Sequence, residues 1–296
     1  MKKLLLFFMT LISFFGYSQL NEGFEGALFP PTGWIKFDNG IGTAQSWNFA
    51  PSPTFAYAGN KAAYMNRENV TDGTTSLDWL VTSQVTVPAN GQLRFFTRKT
   101  LTGNFGSIYT IRVSTASQNT VADFTTIQTY TELDLGSIYE QKFVDLTPYI
   151  GQNIYVAFVL EQDNGDRWLV DNVNIDSKCI SPTVQTVSNI SDTSVDLGWN
   201  NPGGASEWDI EWGPAGFAQG TGTTVSNINS NPYNLSGLTA ATNYSFYVRA
   251  NCGNNNIGDW FGPFNFTTGI CSVASQCDFI FRLTDSFGDG WNGSTM

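Results

Sequence analysis

Short strand-like runs, in which apolar and polar residues alternate with a period of two, recur along most of this 296-residue chain. Ile108–Ser114 and Glu207–Trp212 alternate in this way, and Gly, Asn, Pro and Asp separate the runs. No stretch of about 11 residues carries the apolar stripe of an amphipathic helix. Aromatic residues make up 15% of the chain and charged residues only 13%, a composition that suits strands better than helices. The sequence therefore predicts an all-β protein.

The runs group into two domains and the start of a third. Residues 19–176 contain about eight to ten runs and no cysteine, which predicts a jelly-roll β-sandwich that is held together by its core. Roughly seven runs in 179–268 predict an immunoglobulin-like sandwich. Residues 271–296 hold one more strand-like run, and we expect them to begin a further β module that is truncated in this sequence.

Residues 1–18 have the features of a secretory signal peptide. Two lysines precede an apolar run from Leu4 to Phe15, and small residues occupy the −3 and −1 positions of a cleavage site after Ser18. A membrane-spanning helix needs about 20 apolar residues, so this run is too short for one. We expect a secreted protein without membrane insertion, attached to the cell surface, if at all, through a C-terminal region that this sequence lacks.

Charge and composition narrow the classes of function. A net charge of −11 disfavours nucleic acid as a partner, because phosphate binding depends on clustered Lys and Arg. The chain has no histidine, which excludes Ser–His and Cys–His nucleophiles and His-containing zinc sites within it. Acidic pairs such as Glu132/Asp134 and Glu161/Asp163 lie in polar, turn-like stretches, where we expect solvated charges and not the acid–base pair of a glycosidase. The sequence predicts a non-catalytic protein.

Two acidic residues frame the first domain and suggest a metal site. Glu25 lies near its start and Asp171 in its last strand-like run. If the first and last strands pair, the two carboxylates approach each other, and a cation would relieve their repulsion. Calcium fits because it takes six to eight oxygen ligands, and we expect Asp38 and Asn60 to complete the shell. The alternative is that both side chains face water at strand ends.

Asp285 and Asp289 form a weaker calcium candidate near the end of the chain. Both lie beside turn-forming glycines, but their spacing is not that of an EF-hand. A tight turn stabilised by Asp side chains explains the motif equally well.

Two tryptophans are candidates for a ligand-binding role. Trp47 and Trp168 are flanked by polar residues, and exposed aromatic rings provide platforms on which sugar rings stack. Packing in the core is the alternative for each ring.

Several motifs along the first domain match one known family. The motifs are Phe24-Glu25, Pro30-Pro31-Thr32-Gly33-Trp34, Trp47-Asn48, Ala58-Gly59-Asn60-Lys61-Ala62, Asp78-Trp79-Leu80-Val81-Thr82 and Leu169-Val170-Asp171-Asn172-Val173. In these motifs residues 20–176 resemble the cleaved-adhesin, or choice-of-anchor J, type of β-sandwich found in secreted Bacteroidota surface proteins. The resemblance implies a non-catalytic adhesive module of surface proteins or secreted proteases, calcium-binding in some members.

The second domain resembles a fibronectin type III domain. Trp199 matches the core Trp of that family's second strand, and 238–244 match its L-x-P-x-T-x-Y corner with alanine in place of proline. Four cysteines allow three pairings. In the fibronectin type III topology Cys179 and Cys252 lie at the same pole, so we predict a Cys179–Cys252 disulfide, which leaves Cys271 for Cys277 or a partner outside this sequence.

These features together predict a secreted or cell-surface binding protein that calcium stabilises and that recognises an extracellular protein or polysaccharide. Two alternatives stay open. The chain is either the non-catalytic region of a larger secreted protease or glycoside hydrolase, or a structural module of an extracellular matrix.

Overall fold

The computed structural model describes residues 20–42, 46–70 and 73–270. These residues divide into two units between Lys178 and Cys179. Strands dominate both units, and the only helical segments in the described ranges are three short 3-10 helices, Pro53–Phe55, Val121–Asp123 and Thr147–Tyr149. The prediction of an all-β chain is confirmed. Among the described residues no helix is long and apolar enough to cross a membrane. The predicted signal peptide, Asp285, Asp289 and the truncated module lie outside these residues.

The first unit is built from twelve strands in the described ranges, arranged as two facing antiparallel sheets. The first sheet has the order β10-β7-β12-β4-β3, with β1 also paired to β12, and the second has the order β2-β5-β11-β8-β9, with β6 paired to β11. The strands are β1 Leu20–Glu22, β2 Ile35–Asp38, β3 Asn48–Phe49, β4 Ala63–Met65, β5 Ser76–Val81, β6 Val85–Thr86, β7 Gly91–Arg98, β8 Ile108–Ser114, β9 Thr125–Thr131, β10 Glu140–Asp145, β11 Asn153–Gln162 and β12 Trp168–Ser177.

The alternation of side chains along the strands fills the space between the two sheets. In β7, Leu93 and Phe95 face the core, while Phe96 and Arg98 face outward. Phe95 meets Phe158 of the opposite sheet with ring centroids 5.1 Å apart. Removing each such side chain from water contributes about 1.5–3 kcal/mol, so a core of this size holds the unit together without a disulfide.

A β-bulge in β12 determines which way its polar residues point. The register of β12 against β7 shifts between Asp171 and Asn174, and Asn172 takes a φ of 47°. Because one extra residue is inserted there, Val170 and Val173 both face the core while Asp171 faces outward. The domain's first strand, β1, pairs with β12 through Leu20 and Ile175. The predicted approach of Glu25 and Asp171 depended on this pairing of the first and last strands.

The outer face of the second sheet carries a smaller apolar cluster around Trp79. The guanidinium of Arg112 lies 4.8 Å from the centroid of the Trp79 ring, and Tyr155 packs against the same cluster.

The second unit is a smaller antiparallel sandwich. Its sheets have the orders β13-β14-β17 and β16-β15-β18-β19. Trp199 and Trp208 are buried between the sheets with ring centroids 5.4 Å apart. The Cys179–Cys252 disulfide is present, with the two Cα atoms 5.9 Å apart, which confirms the predicted pairing. The strands are β13 Thr183–Ser188, β14 Ser194–Asn200, β15 Glu207–Pro214, β16 Thr223–Ile228, β17 Tyr233–Ser236, β18 Asn243–Asn251 and β19 Phe261–Thr267.

Candidate functional site

Asp171 anchors a surface loop, residues 57–61, which we call the clamp loop. Its Oδ2 atom accepts hydrogen bonds from the backbone N–H groups of Tyr57 at 2.9 Å and Ala58 at 3.2 Å. Its Oδ1 atom accepts one from the N–H of Asn172 at 2.7 Å. The bulge in β12 makes these contacts possible, because it directs the carboxylate away from the core.

Glu25 holds the other half of the clamp loop. Its Oε1 atom accepts hydrogen bonds from the N–H groups of Asn60 and Lys61, each at 2.9 Å. Gly59 lies between the two anchored halves with a φ of 67°, and a Cβ atom there would clash with the Glu25 carboxylate. Only glycine suits this position, because it adopts positive φ without strain and lets the carboxylate approach the backbone. Two carboxylates therefore bind four backbone N–H groups of one loop.

The electrostatics of this site reflect the burial of a charge. Burial raises the pKa of Asp171 to about 6, and the nearby charge of Glu25 adds to this rise, while hydrogen bonds from the clamp loop oppose it. Burial, followed by the charge of Asp171, also raises the pKa of Tyr139. The two carboxylates thus give the site negative charge, which a nearby positive charge would stabilise.

The structure brings together three of the four residues that the sequence suggested as calcium ligands. Glu25, Asp171 and Asn60 meet at the clamp loop, although Asn60 contributes its backbone N–H there. Asp38 does not join them: it ends β2 in the other sheet, opposite Asp78, and its Oδ1 atom accepts the N–H of Gly40 at 2.7 Å. Its assignment to this shell was wrong because the sequence does not show which sheet a strand joins. Within the described residues no group of three or more His, Cys, Asp or Glu side chains is arranged to hold a metal ion.

Trp47 and Trp168 are not exposed platforms, and this correction follows directly from their burial. Their side chains are 1% and 0% exposed, and their ring centroids lie 5.4 Å apart in the core. The indole N–H of Trp47 donates to the carbonyl of Asp78 at 3.0 Å, and that of Trp168 donates to Thr97 Oγ1 at 2.7 Å. Their polar sequence neighbours were misleading, because adjacent strand residues face opposite sides of a sheet.

Other aromatic side chains gather on the outer face of the first sheet, beside the clamp loop. Tyr57 of that loop stacks on Phe96 of β7 with centroids 3.6 Å apart, and meets the edge of Tyr139 at 5.6 Å. Phe55 and Tyr64 extend the group, with centroids 6.3 Å apart. Tyr57 is 39% exposed and is the most exposed ring of the group.

A guanidinium lies within this aromatic group. The Cζ atom of Arg98 lies 5.4 Å from the ring centroid of Phe55 and 5.1 Å from that of Tyr139, distances at which a cation is attracted to a ring. Its Nη1 atom donates to the carbonyl of Ser137 at 3.2 Å. We call this set the aromatic surface: Phe55, Tyr57, Tyr64, Phe96, Arg98 and Tyr139.

A row of polar groups continues from the aromatic surface. The hydroxyl of Tyr64 donates to Asn66 Oδ1 at 2.9 Å, and Arg167 Nε donates to the same oxygen at 3.1 Å. Arg167 Nη1 donates to Thr100 Oγ1 at 3.2 Å. Hydrogen-bonding groups and aromatic rings therefore lie side by side on one face. The sequence contains a signal for this surface, since the alternation in β7 that places Phe95 in the core directs Arg98 outward.

Glu132, which we expected from the sequence to be a solvated charge, also anchors a loop. Glu132 is 1% exposed, and its carboxylate accepts the N–H groups of Phe105 at 2.6 Å and Ser107 at 3.0 Å. Burial alone would raise the pKa of Glu132, but hydrogen bonds from Ser107 and Phe105 hold it below its usual value. The expectation of solvation was wrong for this residue, because a carboxylate in a loop is as well placed to bind backbone N–H groups as to face water.

Comparison with known proteins found one family profile and several solved structures that are similar to parts of this chain. Residues 181–260 match the profile of the fibronectin type III domain. The K1 cleaved adhesin domain of Lys-gingipain from Porphyromonas gingivalis is 24% identical, with a TM-score of 0.43; the match covers 53% of this chain and 97% of that chain. The FN5 domain of Drosophila Lar is 20% identical, with a TM-score of 0.27, over 31% of this chain and 97% of that chain.

A third solved structure, TmCBM61 in complex with beta-1,4-galactotriose, is 17% identical with a TM-score of 0.38; the match covers 54% of this chain and 97% of that chain. No curated protein matches the chain. The match of residues 181–260 to the fibronectin type III profile confirms the resemblance predicted for the second domain.

Proposed function

We propose that this chain is a non-catalytic binding protein that works outside the cell, and that its aromatic surface recognises a polysaccharide. The observation that carries the proposal is the combination of clustered rings, a guanidinium and a row of hydrogen-bonding groups on one sheet face. Sugar rings present apolar C–H faces and polar hydroxyls, so they bind surfaces that offer both kinds of contact. Tyr57 provides the exposed ring, and Asn66 and Arg167 lie beside the group.

The clamp loop prepares this surface for binding. The N–H of Tyr57 is held by Asp171, and its ring is held by Phe96 beneath it. A ring that is fixed before binding loses little conformational entropy on contact with a ligand, which improves affinity. The carboxylates of Asp171 and Glu25 therefore serve recognition through the loop that they anchor.

The charges favour a polysaccharide that carries acidic groups. Arg98 and Arg167 present guanidinium groups on this face, and neither forms an ion pair in the described part of the chain. An Arg side chain can bind a carboxylate or sulfate through two parallel hydrogen bonds. Acidic sugar units would therefore gain affinity here despite the negative net charge of the whole chain.

Calcium at the clamp loop is a second part of the proposal. Glu25 and Asp171 lie close enough for one charge to raise the pKa of the other, and Glu25 Oε2 makes no hydrogen bond to the described residues. A calcium ion would use these carboxylate oxygens together with backbone carbonyls, the oxygen ligands that it prefers. Binding of the ion to the folded state alone would stabilise the clamp loop.

A glycan array that includes acidic and neutral polysaccharides tests the binding role. We expect saturable binding of the wild-type chain to acidic polysaccharides, and loss of most of this binding in Tyr57→Ala. Tyr155→Ala is the matched control, because it removes a part-buried tyrosine from the outer face of the other sheet. Failure of the wild type to bind any glycan saturably would contradict the proposal and favour a structural module. Equal binding by Tyr57→Ala and Tyr155→Ala would show that the aromatic surface is not the binding site.

A further inference from the structure

The outer face of the four-stranded sheet in the second unit repeats the arrangement that forms the aromatic surface of the first unit. In β18, Val248 belongs to the core, so its neighbours Tyr247 and Arg249 point outward. Phe96 and Arg98 occupy outward positions with the same spacing in β7 of the first unit. Each sheet therefore presents an aromatic ring that is followed, on the same face, by a guanidinium.

In both units an anchored loop adds a further ring to the face. Phe217, in the loop of residues 215–222 between β15 and β16, meets Tyr247 edge to face with ring centroids 5.5 Å apart. The buried carboxylate of Glu211 holds this loop, because its Oε1 atom accepts the N–H groups of two loop glycines at 2.7 Å each. The clamp loop of the first unit is held in the same way, by carboxylates that accept backbone N–H groups, and its ring also packs on a ring of the sheet.

The guanidinium of Arg249 is fixed between an aromatic ring and a carboxylate. Its Cζ atom lies 4.4 Å from the ring centroid of Trp260, within the range of a cation–π contact. Its Nε atom donates to Asp209 Oδ2 at 2.9 Å, and the Asp209 side chain is 3% exposed whereas that of Arg249 is 27% exposed. The guanidinium is thus held in place and remains accessible to a ligand. We call this set the Trp260 surface: Phe217, Tyr247, Arg249 and Trp260.

We propose that the Trp260 surface is a second polysaccharide-binding site, which takes the same polymer as the aromatic surface. The choice of ligand rests on the proposed function of the first unit, because the same combination of anchored loop, part-buried rings and guanidinium recurs here on a different sandwich. The rings offer apolar faces to the C–H groups of a sugar, and Arg249 offers hydrogen-bond donors to its hydroxyls. A polysaccharide repeats its units, and two linked sites raise the overall affinity for such a ligand when both are engaged.

The two surfaces differ in their charge, and we expect the Trp260 surface to be the weaker one for an acidic polysaccharide. Asp209 offsets the charge of Arg249, whereas Arg98 and Arg167 form no ion pair in the described part of the chain. Binding at the Trp260 surface should therefore depend less on salt, because ions screen the attraction between exposed charges. A weaker second site agrees with the expected loss of most, and not all, binding in Tyr57→Ala.

Isothermal titration of the full chain with a tetrasaccharide fragment of the polysaccharide selected on the array counts the sites. We expect two sites per chain in the wild type, one in Tyr57→Ala and none when Trp260→Ala is added to Tyr57→Ala. Adding Tyr233→Ala instead is the matched control, because it removes a part-buried ring from the other sheet of the second unit, and it should leave one site. If Trp260→Ala does not fold, Arg249→Lys replaces it: this variant keeps a positive charge beside Asp209, loses the flat guanidinium and should weaken the remaining site severalfold.

The outcomes separate this proposal from the proposed function. A single site per chain that Tyr57→Ala abolishes would overturn the second site and leave the function of the aromatic surface intact. A site that remains in Tyr57→Ala and is unaffected by Trp260→Ala or Arg249→Lys would also overturn the second site. If Tyr57→Ala changes nothing and Trp260→Ala removes the single site, the function of the aromatic surface fails and the Trp260 surface stands. No binding of the tetrasaccharide or of the polymer by the wild type would overturn both.

Discussion

Replacing Asp171 by asparagine tests whether the clamp loop depends on a buried, charged carboxylate. The amide has nearly the same shape and keeps one oxygen that can accept the N–H groups of Tyr57 and Ala58. It loses the acceptor for the N–H of Asn172. Alanine at this position would remove the acceptors of all three N–H groups and leave a void.

The magnitude follows from the pKa. Burial raises the pKa of Asp171 from 3.8 to about 6, a difference of roughly 2 units and at most about 3 kcal/mol at 1.36 kcal/mol per unit. Solvent near the clamp loop screens part of this, so we expect about 1–2 kcal/mol. Because the folded state binds the proton more tightly than the unfolded state, this contribution is present below pH 4 and is lost as the pH rises through about 6.

Urea unfolding in chelator at pH 4 and pH 7 measures this contribution. The free energy of unfolding of wild type relative to Asp171→Asn should fall by about 1–2 kcal/mol between the two pH values. At pH 7 we expect Asp171→Ala to lie about 2–4 kcal/mol below wild type, because three N–H groups lose their acceptor. Calcium should raise the stability of wild type at pH 7 by more than it raises that of Asp171→Asn, which lacks one clamp-loop carboxylate. A pH-independent difference between wild type and Asp171→Asn would refute the account of the buried charge.

Three further predictions concern stability. Arg94→Met should cost about 3–5 kcal/mol in urea unfolding, because it leaves the buried carboxylate of Asp176, 2.6 Å from the guanidinium, without a counter-charge; a cost below 1 kcal/mol would mean that the pair is solvated. Reducing Cys179–Cys252, which are 73 residues apart in sequence, should lower the free energy of unfolding of the second unit by about 4 kcal/mol, and a reductant-insensitive melting curve would contradict this. Tyr244→Phe removes the hydroxyl that accepts a backbone N–H at 3.0 Å and should cost about 1 kcal/mol by calorimetry, whereas no change would assign the corner no energetic role.

The alternation of apolar and polar residues, together with short motifs, was sufficient to predict the all-β class and the fold of the second unit. Alternation in β15 places Trp208 and Ile210 in the core, as expected from sequence, and Tyr244 makes the corner contact that its motif implied. The disulfide followed from the topology of a resembling family, because Cys179 and Cys252 lie at one pole of that fold. These features depend on residues near one another in sequence or on a known strand order.

The candidate site was predictable only in part, because it depends on how distant strands associate. The approach of Glu25 and Asp171 followed from pairing the first and last strands, but the sequence gives no sign that the clamp loop would bind both carboxylates through its N–H groups. Trp47 and Trp168 were misjudged from their polar neighbours, since alternation places a core residue next to an outward-facing one. Arg98 was overlooked, because its aromatic partners come from segments more than 30 residues away.

The central claim, that the aromatic surface binds an acidic polysaccharide, is tested most directly by one paired titration. Isothermal titration of an acidic polysaccharide selected on the array would compare Arg98→Ala with Arg112→Ala, which removes a guanidinium that packs on an aromatic ring of the opposite sheet. We expect Arg98→Ala to weaken binding by about tenfold or more, since it removes charge-assisted hydrogen bonds and a cation–π contact, and Arg112→Ala to bind like wild type. Equal affinities of Arg98→Ala and wild type, or a greater loss in Arg112→Ala, would contradict the account.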